Sequence, residues 1–421
     1  MKIYNLFPLL AGTLDRWQPH LERAQHMGFD WIFVNPIQKT GRSGSLYSIQ
    51  DYFAISPTLL TPGASTTPEA QMKAVTQAAD KLGLAMMVDL VINHCAYDSP
   101  LLQQHPEWFA KKDGHIAHPS CIDDGHEVVW RDLARFDHNH TSDPEGLYRY
   151  CLKTVEYLLG LGFKGLRCDA AYQLPSGFWR RLIQDVRKQW PDTVFAAETL
   201  GCSPDQTKDT ARTGFDYIFN SSKWWDFTSP WLMEQYHLTR DTVPSISFPE
   251  SHDTARLFAE MHGNLDAMKQ RYLFSALFSA GVMMPMGFEF GFKKPLHVVE
   301  TRPSDWETTD VDLTGFIKQV NAVKSRYPVF AEESITNVLP HHANHSILLL
   351  WKASTKTRAE ALLVLNKDIW NRQYFHVDNV YRYVQSASPL IDVSPEWTMD
   401  HVPTPFGFDL APGMGRILVS S

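Results

Sequence analysis

Four acidic side chains each end or follow a strongly apolar stretch of this sequence. They are Asp89, Asp169, Glu198 and Asp253. Paired carboxylates suit cleavage of a glycosidic bond, because a protonated one can protonate the leaving oxygen while an ionised one attacks the sugar carbon. A single acid at a strand end is usually a helix cap or a solvated charge. Four acids spaced by whole strand–helix–strand units indicate a common site instead.

A cation stands two residues before one of these acids, in the stretch GFKGLRCDAAYQL at residues 162–174. Side chains two apart on a strand point to the same side, so Arg167 and Asp169 share one space. A guanidinium there keeps Asp169 ionised and fixes its rotamer, as a nucleophile requires. Glu198 instead follows the apolar residues VFAA, and burial there would raise its pKa, as a proton donor requires.

The acids need a frame that brings the ends of distant strands together, and the hydrophobic pattern predicts one. Eight apolar strands alternate with helices, and the strands lie at 2–7, 30–37, 84–92, 163–169, 193–198, 215–219, 243–248 and 282–288. This alternation predicts a closed (β/α)8 TIM barrel, in which active sites lie at the C-terminal ends of the strands. A doubly wound open sheet is the alternative, but no G-x-G-x-x-G or Walker loop follows any strand.

Two regions break the alternation. About 50 residues rich in His, Asp and Trp follow the third strand, and a connection of that length is a functional loop or a small subdomain. After about residue 333, short alternating strands predict an antiparallel β-sandwich. We therefore expect a catalytic barrel at 1–94 and 144–332, an inserted subdomain at 95–143 and a C-terminal β domain at 333–421.

Composition limits the partners and the compartment. The formal net charge is −8, which argues against a nucleic-acid partner because that partner would need a basic surface. No apolar stretch is long enough to span a bilayer, and the N-terminus, with one lysine and Pro8, is a poor signal peptide. Five cysteines without a CxxC pair indicate neither a disulfide framework nor a zinc site. We expect a cytoplasmic protein with no membrane partner.

Four segments resemble, in order and spacing, the four short signature regions of the α-amylase family of glycoside hydrolases. They are DLVINH (89–94), GLRCDA (165–170), AETLG (197–201) and FPESHD (248–253). SLYSIQDYFAISP (45–57) and AGVMMPMGFEFG (280–291) resemble two further family segments, so the resemblance covers about residues 1–330. It implies a retaining enzyme that cleaves α-glucosidic bonds in α-glucans or maltooligosaccharides through a covalent β-glycosyl-enzyme.

The resemblance also implies a role for each matching residue. Asp169 would be the nucleophile, Glu198 the general acid and then the base, and Asp253 would bind sugar hydroxyls and favour the distorted ring of the transition state. The other residues implied to bind substrate or to hold the acids are Tyr47, Asp89, His94, Arg167 and His252. Tyr47 would stack on the sugar, and the two histidines would hydrogen-bond it.

The sequence departs from the family pattern in places that affect the activity. Ser251 stands where an Asn is common, and Leu46 where a Gly is common. QHPEWF (104–109), in a segment that resembles a shortened domain B, is similar to bacterial maltosyltransferases that use a maltosyl phosphate, although those lack the His252–Asp253 pair. An α-glucan transglycosylase or maltosyltransferase with the same acids is therefore the alternative. A non-catalytic carbohydrate-binding relative is disfavoured, because all three catalytic positions are present.

The chemistry requires no cofactor. Asn93 matches a position that ligates calcium in many amylases, so the resemblance implies a structural calcium as an expectation. Asp123, Asp124 and Asp137 are candidates for further ligands from the inserted segment, where solvated loop charges are the simpler interpretation.

The spacing of the acids also predicts the stereochemistry of the reaction. We expect the carboxyl groups of Asp169 and Glu198 to lie about 5–5.5 Å apart, the separation found in retaining enzymes. The first product from a maltooligosaccharide should then keep the α configuration, which proton NMR recorded before mutarotation measures directly. A first product in the β configuration would refute Asp169 as the nucleophile.

Overall fold

Eight parallel strands form a closed barrel in the computed structural model, which describes residues 1–123, 126–386 and 388–420. The strands are β1 (Lys2–Leu6), β2 (Trp31–Val34), β3 (Ala85–Leu90), β4 (Gly165–Cys168), β5 (Val194–Ala197), β6 (Tyr217–Phe219), β7 (Ser245–Ser247) and β8 (Gly281–Pro285). Neighbours in sequence are neighbours in the barrel, and β8 closes onto β1. The predicted (β/α)8 TIM barrel is thereby confirmed.

One main helix follows each barrel strand. The helices are α1 (Gln18–His26), α2 (Pro68–Lys81), α3 (Pro144–Gly160), α4 (Ser176–Gln189), α5 (Pro204–Ala211), α6 (Trp231–Thr239), α7 (Leu265–Phe278) and α8 (Thr314–Arg326), with shorter helices at Pro8–Ala11, Leu101–Gln104 and Leu257–Glu260. α2 begins as its sequence indicates, since Thr67 Oγ1 accepts a hydrogen bond from the Ala70 N–H at 3.2 Å. None of the helices in the described ranges combines the length and apolar character needed to cross a membrane.

The inside of the barrel changes from apolar to polar toward the C-terminal ends of the strands. Its apolar layer consists of Ile3, Phe33, Met87, Ala196, Phe219, Ile246, Phe248 and Met283. Because side chains alternate across a strand, the next inward positions after Phe33, Met87 and Ala196 are Asn35, Asp89 and Glu198. The same alternation places polar groups on a rigid, water-excluding floor.

Gly165 on β4 is a position inside the barrel where a side chain would not fit. A methyl group there would lie 2.9 Å from Trp31 Cζ3 and 3.1 Å from the carbonyl oxygen of Val194. The bulk of Trp31 on β2 therefore fills the space that a β4 side chain would take. Arg167, two residues further along β4, is the next inward position and is in register with Asp89 on β3.

Two connections between barrel strands and their helices contain short antiparallel strand pairs. Between β2 and α2, Gln38–Thr40 pairs with Ile49–Ile55. In the long connection after β3, the pairs are His94–Ala96 with Leu133–Arg135, Lys111–Lys112 with His115–Ile116, and Ser120–Asp123 with His126–Val129. The connection after β3 thus contains two local strand pairs, and the third pair joins its two ends.

The C-terminal part of the chain contains two antiparallel sheets. Its strands are β9 (Ile335–Leu339), β10 (Ile347–Ala353), β11 (Glu360–Asn366), β12 (Gln373–Val377), β13 (Leu390–Asp392), β14 (Phe406–Leu410) and β15 (Gly415–Ser420). The larger sheet has the order β9-β10-β11-β15-β13, and β12 pairs with β14. Residues of both sheets, including Leu349, Leu362, Phe375 and Phe406, form one apolar core. The predicted C-terminal antiparallel sheet is confirmed.

Two buried lysines join the C-terminal end of α7 to its surroundings. Lys324 on α8 donates to the carbonyl oxygens of Ala276 at 2.8 Å and Ser279 at 2.7 Å. Lys352, from β10 of the C-terminal region, donates to the carbonyl oxygen of Phe278. Side-chain N–H donors at this end of a helix satisfy carbonyl groups that have no partner within the helix. The C-terminal region therefore completes a helix of the barrel.

The packing at Gly165 generates a prediction for stability. We expect Gly165→Ala to lower the free energy of unfolding by about 1–3 kcal/mol, the usual cost of overpacking. The matched control is Gly315→Ala in α8, where an added methyl meets no atom within 4 Å. The control should leave stability unchanged or raise it by at most about 1 kcal/mol. Urea unfolding of both variants measures the difference, and equal midpoints would contradict the packing argument.

Candidate active site

Arg167 lies at the centre of the polar cluster in the barrel mouth. Its Nη1 donates to Asp169 Oδ1 at 2.7 Å and to both carboxylate oxygens of Asp89, at 2.9 and 3.1 Å. Arg167 and Asp89 are register partners on β4 and β3. Complete burial raises the pKa of Asp89, and the Arg167 guanidinium opposes that rise. The guanidinium thus fixes two carboxylates. The sequence pattern predicted its contact with Asp169 but not its contact with Asp89.

Glu198 lies beside Asp169 because β4 and β5 are paired up to the residues just before these acids. Cys168 pairs with Ala197, and the Glu198 N–H donates to the Cys168 carbonyl oxygen at 3.0 Å. The Glu198 side chain is 7% exposed. Burial is the main cause that raises its pKa to about 7, while Arg167 opposes this rise and Asp169 reinforces it. A carboxyl group with this pKa can give and take a proton near neutral pH.

Backbone groups orient the Glu198 carboxyl. Its Oε2 accepts from the Ala170 N–H at 2.8 Å, and its Oε1 accepts from the Leu200 N–H at 2.5 Å. Ala170 has a φ of 41°, in the left-handed region that non-glycine residues seldom adopt. Ala170, directly after Asp169, thus has a strained backbone and donates its N–H to Glu198. Strained backbone of this kind is typical of functional sites.

Tyr47 connects the Arg167 cluster to His252. Its hydroxyl donates to Asp89 Oδ2 at 2.6 Å, accepts from Asn35 Nδ2 at 3.1 Å and lies 2.6 Å from His252 Nε2. Because the hydroxyl proton goes to Asp89, His252 must donate from Nε2. The two rings are stacked, with centroids 5.8 Å apart and planes 6° apart. Sequence reasoning missed Asn35, whose signal is its place one residue after β2.

The two predicted histidines are alike in their protonation. His94 Nε2 lies 3.2 Å from the Tyr47 carbonyl oxygen, so it also carries the proton. Burial lowers the pKa of both His94 and His252, which favours the neutral ring. Among the described residues, the Nδ1 atom of each is buried without a hydrogen-bond partner. Buried acceptors are seldom left unpaired, and a hydroxyl group is a suitable partner for each.

Asp253 is held less firmly than the other acids. Its carboxylate lies 3.0 Å from His252 Nε2, and its side chain is 51% exposed. It stands six residues beyond the end of β7, in a turn where its N–H donates to Ser251 Oγ at 3.2 Å. The serine that replaces the family's common asparagine therefore serves to shape this turn.

Asn93 offers one oxygen to the structural calcium that the resemblance implies. Asn93 Oδ1 is buried without a hydrogen-bond partner, which fits one ligand oxygen. Calcium takes six to eight oxygens, and Asp137 Oδ1 instead accepts from the backbone N–H groups of Asn139 and His140. Asp124 lies outside the described residues, as does the side chain of Asp123. A structural calcium at Asn93 therefore stays a prediction.

A second group of possible metal ligands is better explained as a helix cap. His105, Glu107 and Asp143 have ligand atoms close to one another. However, Asp143 Oδ1 accepts from the Gly146 N–H at 2.9 Å at the start of α3, and Oδ2 accepts from Trp108 Nε1 at 3.0 Å. Both carboxylate oxygens are thus already used for structure.

The chain is similar to one family model over part of its length and to several curated proteins. The family model "Glycogen debranching enzyme, glucanotransferase domain" matches residues 1–114. Alpha-1,4-glucan:maltose-1-phosphate maltosyltransferase from Burkholderia pseudomallei is 25% identical over 372 residues, covering 86% of this chain and 32% of that protein. The enzyme of the same name from Mycobacterium tuberculosis is 24% identical over 386 residues, covering 84% and 53%. The chain spans about a third to a half of the length of these curated relatives.

Solved structures agree on the fold. An α-amylase from Lactobacillus plantarum superposes with a TM-score of 0.77 at 21% identity, covering 100% of this chain and 98% of that one. The α-amylase from H. orenii superposes with a TM-score of 0.79 at 13% identity, covering 100% and 99%. These structures share the (β/α)8 fold of this chain. The four signature segments at the barrel mouth and the matching sequences resemble those of the α-amylase family of glycoside hydrolases.

Proposed function

We propose that this chain is a retaining enzyme that cleaves α-glucosidic bonds in α-glucans or maltooligosaccharides. The observation that supports this best is the pair of unlike acids at the ends of β4 and β5. Asp169 is bound by the Arg167 guanidinium at 2.7 Å, whereas Glu198 is buried and has a pKa raised to about 7. Two neighbouring carboxyl groups with different environments can serve as nucleophile and proton donor in one reaction.

The proposed reaction has two steps. In the first, Asp169 Oδ attacks the anomeric carbon while Glu198 gives its proton to the leaving oxygen, so the glycosidic bond breaks and an ester to Asp169 forms. In the second, the Glu198 carboxylate takes a proton from an incoming hydroxyl group, whose oxygen attacks the anomeric carbon. The bond to Asp169 then breaks, and both acids return to their starting states.

The remaining polar residues act by holding the acids and the sugar. Arg167 and Asp89 position Asp169 through the contacts of Arg167 Nη1. His94 and His252 would hydrogen-bond the sugar before the cleaved bond, and Asp253 would contact the same sugar. The Tyr47 ring would stack on it, while its hydroxyl remains fixed by Asp89. Fixed partners of this kind reduce the reorganisation that the transition state requires.

A glucan maltosyltransferase is the second candidate. The names of the relatives in Burkholderia and Mycobacterium favour it, since both are maltosyltransferases that use maltose 1-phosphate. The same acids serve both activities, and the difference is whether water or a sugar hydroxyl attacks the glycosyl-enzyme. From the sequence we also propose a cytoplasmic location and no nucleic-acid partner.

The raised pKa of Glu198 generates a prediction for pH dependence. The protonated form is needed to cleave a glucan, and it is lost as pH rises through about 7. We expect kcat/KM for a maltooligosaccharide to fall about tenfold per pH unit above that point. α-Maltosyl fluoride, whose leaving group needs little protonation, should show no such fall. An identical basic limb for both substrates in steady-state assays would contradict the assignment of Glu198 as the acid.

Two substitutions should separate the roles of the acids. Asp169→Asn should lower glucan cleavage by several powers of ten, more than about 4 kcal/mol, and should give no covalent intermediate. Glu198→Gln should lower glucan cleavage to a similar degree but still form the glycosyl-enzyme from α-maltosyl fluoride. Azide should then restore turnover of Glu198→Gln, because a small anion needs no general base. Intact-protein mass spectrometry detects the intermediate.

The control for both substitutions is Asp205→Asn, which makes the same change of charge on the exposed first turn of α5. It should keep the activity of the unaltered protein. If Asp169→Asn accumulates the covalent species, or if azide acts equally on both active-site variants, the roles proposed here are wrong.

A further inference from the structure

The position of the Asp253 carboxylate depends on a turn, because Asp253 stands beyond the end of its barrel strand. In the proposed function, on which this inference rests, Asp253 contacts the sugar whose bond is cleaved. Its carboxylate lies 3.0 Å from His252 Nε2, and half of its side chain is exposed. A half-exposed side chain has few neighbours to fix it, so its position depends on how firmly its backbone is held.

The turn that carries Asp253 is closed by its own polar groups. The Ser251 N–H donates to Thr254 Oγ1 at 3.0 Å, and the Thr254 N–H donates to the Ser251 carbonyl oxygen at 3.3 Å. The Asp253 N–H donates to Ser251 Oγ at 3.2 Å. All three bonds lie within the turn, so they fix its shape and not its orientation in the barrel mouth. That orientation must come from the residues at its two ends.

A buried ion pair joins these two ends. Glu250 Oε1 accepts from Arg256 Nη1 at 2.8 Å, and Glu250 Oε2 accepts from the Leu257 N–H at 2.5 Å. Both side chains of the pair are 1% exposed. Opening a buried pair leaves an uncompensated charge, which is far more costly than opening an exposed salt bridge. The pair therefore closes the base of the turn firmly.

Arg256 also binds the connection that follows the neighbouring strand β8. Its Nε donates to the Lys294 carbonyl oxygen at 3.1 Å. The Lys294 N–H donates in turn to Glu307 Oε1 at 2.7 Å, within the same connection. A planar guanidinium suits this double contact because its donors have fixed directions. One side chain thus anchors the base of the Asp253 turn to a second segment.

We propose that Glu250 and Arg256 are positioning residues that hold the Asp253 carboxylate in the place where it meets the distorted sugar ring. Both side chains are buried, so they act through the turn and not by contact with the substrate. A displacement of about 1 Å at a reacting centre can lower a rate by about 100-fold. When an interaction made only in the transition state is lost, kcat and kcat/KM fall together. The pair therefore supports the rate of the reaction as well as the fold.

The first test shortens the carboxylate arm and keeps its charge. Glu250→Asp should lower kcat for a maltooligosaccharide about tenfold or more and change KM by less than about twofold. In Asp253→Asn, the added Glu250→Asp change should alter kcat by less than about twofold, because the group that it positions is already lost. Steady-state kinetics of the four proteins gives this comparison.

A matched pair of arginine variants supplies the control. Arg256→Lys keeps the buried charge but replaces the guanidinium by an ammonium group, which lacks donors in fixed directions. It should lower kcat without a matching change in KM, as Glu250→Asp does. Arg416→Lys makes the same change at another arginine that is 1% exposed, which pairs with Asp392 at 3.2 Å in the C-terminal region. This control should keep the kcat of the unaltered protein.

Two kinetic results would overturn the inference. One is an unchanged kcat in both Glu250→Asp and Arg256→Lys. The other is an equal loss from Glu250→Asp with and without Asp253→Asn, which would mean that the pair does not act through Asp253.

A readout without turnover separates this inference from the proposed function, which fails if the unaltered protein releases no fluoride from α-maltosyl fluoride. In ¹⁵N-histidine-labelled protein, Glu250→Asp should shift the His252 ring signals in the direction in which Asp253→Asn shifts them. Arg416→Lys should leave these signals in place, and His252→Gln assigns them by their loss. Unchanged His252 signals in Glu250→Asp would overturn the inference whether or not the protein is active.

Discussion

The site depends on the contact of one guanidinium nitrogen with two carboxylates. Arg167 Nη1 holds Asp89 from one neighbouring strand and Asp169 from its own strand end. Burying the Asp89 carboxylate or the Arg167 guanidinium alone would carry a large desolvation free energy. Their mutual attraction offsets that cost for both groups. Through the Tyr47 hydroxyl, the same interaction also fixes the position of His252. Removing the cation would therefore disturb Asp89, Asp169 and, through Tyr47, His252.

This interaction is possible because the barrel supplies a dry floor directly beneath it. Phe33 and Met87 fill the barrel below the polar layer, while Gly165 leaves room for Trp31. A close-packed floor excludes water, which strengthens the electrostatic interactions above it. The same exclusion raises the pKa of Glu198 to about 7. The alternation of side chains along the barrel strands thus produces both the packed apolar floor and the raised pKa of Glu198.

Much of the frame could be predicted from the sequence, because it depends on local patterns. The strand and helix order follows from hydrophobic periodicity, and the start of α2 follows from Thr67 and Pro68. The contact of Arg167 with Asp89 could not be predicted, because it depends on the register between two strands that are distant in sequence. The left-handed conformation of Ala170 has no local signal either, since alanine seldom adopts it. Such features are fixed by tertiary contacts and not by the residues beside them.

Lys352 on β10 limits which C-terminal regions could replace the present one. Lys352 satisfies the Phe278 carbonyl, and α7 leads directly into β8, the strand that closes the barrel. The barrel and the C-terminal β region therefore share a hydrogen bond, although the chain passes from one to the other only once. Recombination that exchanges the C-terminal region for an unrelated domain must supply an equivalent donor at this depth. An exchanged domain without such a donor would leave the Phe278 carbonyl unpaired at the end of the helix that leads into β8.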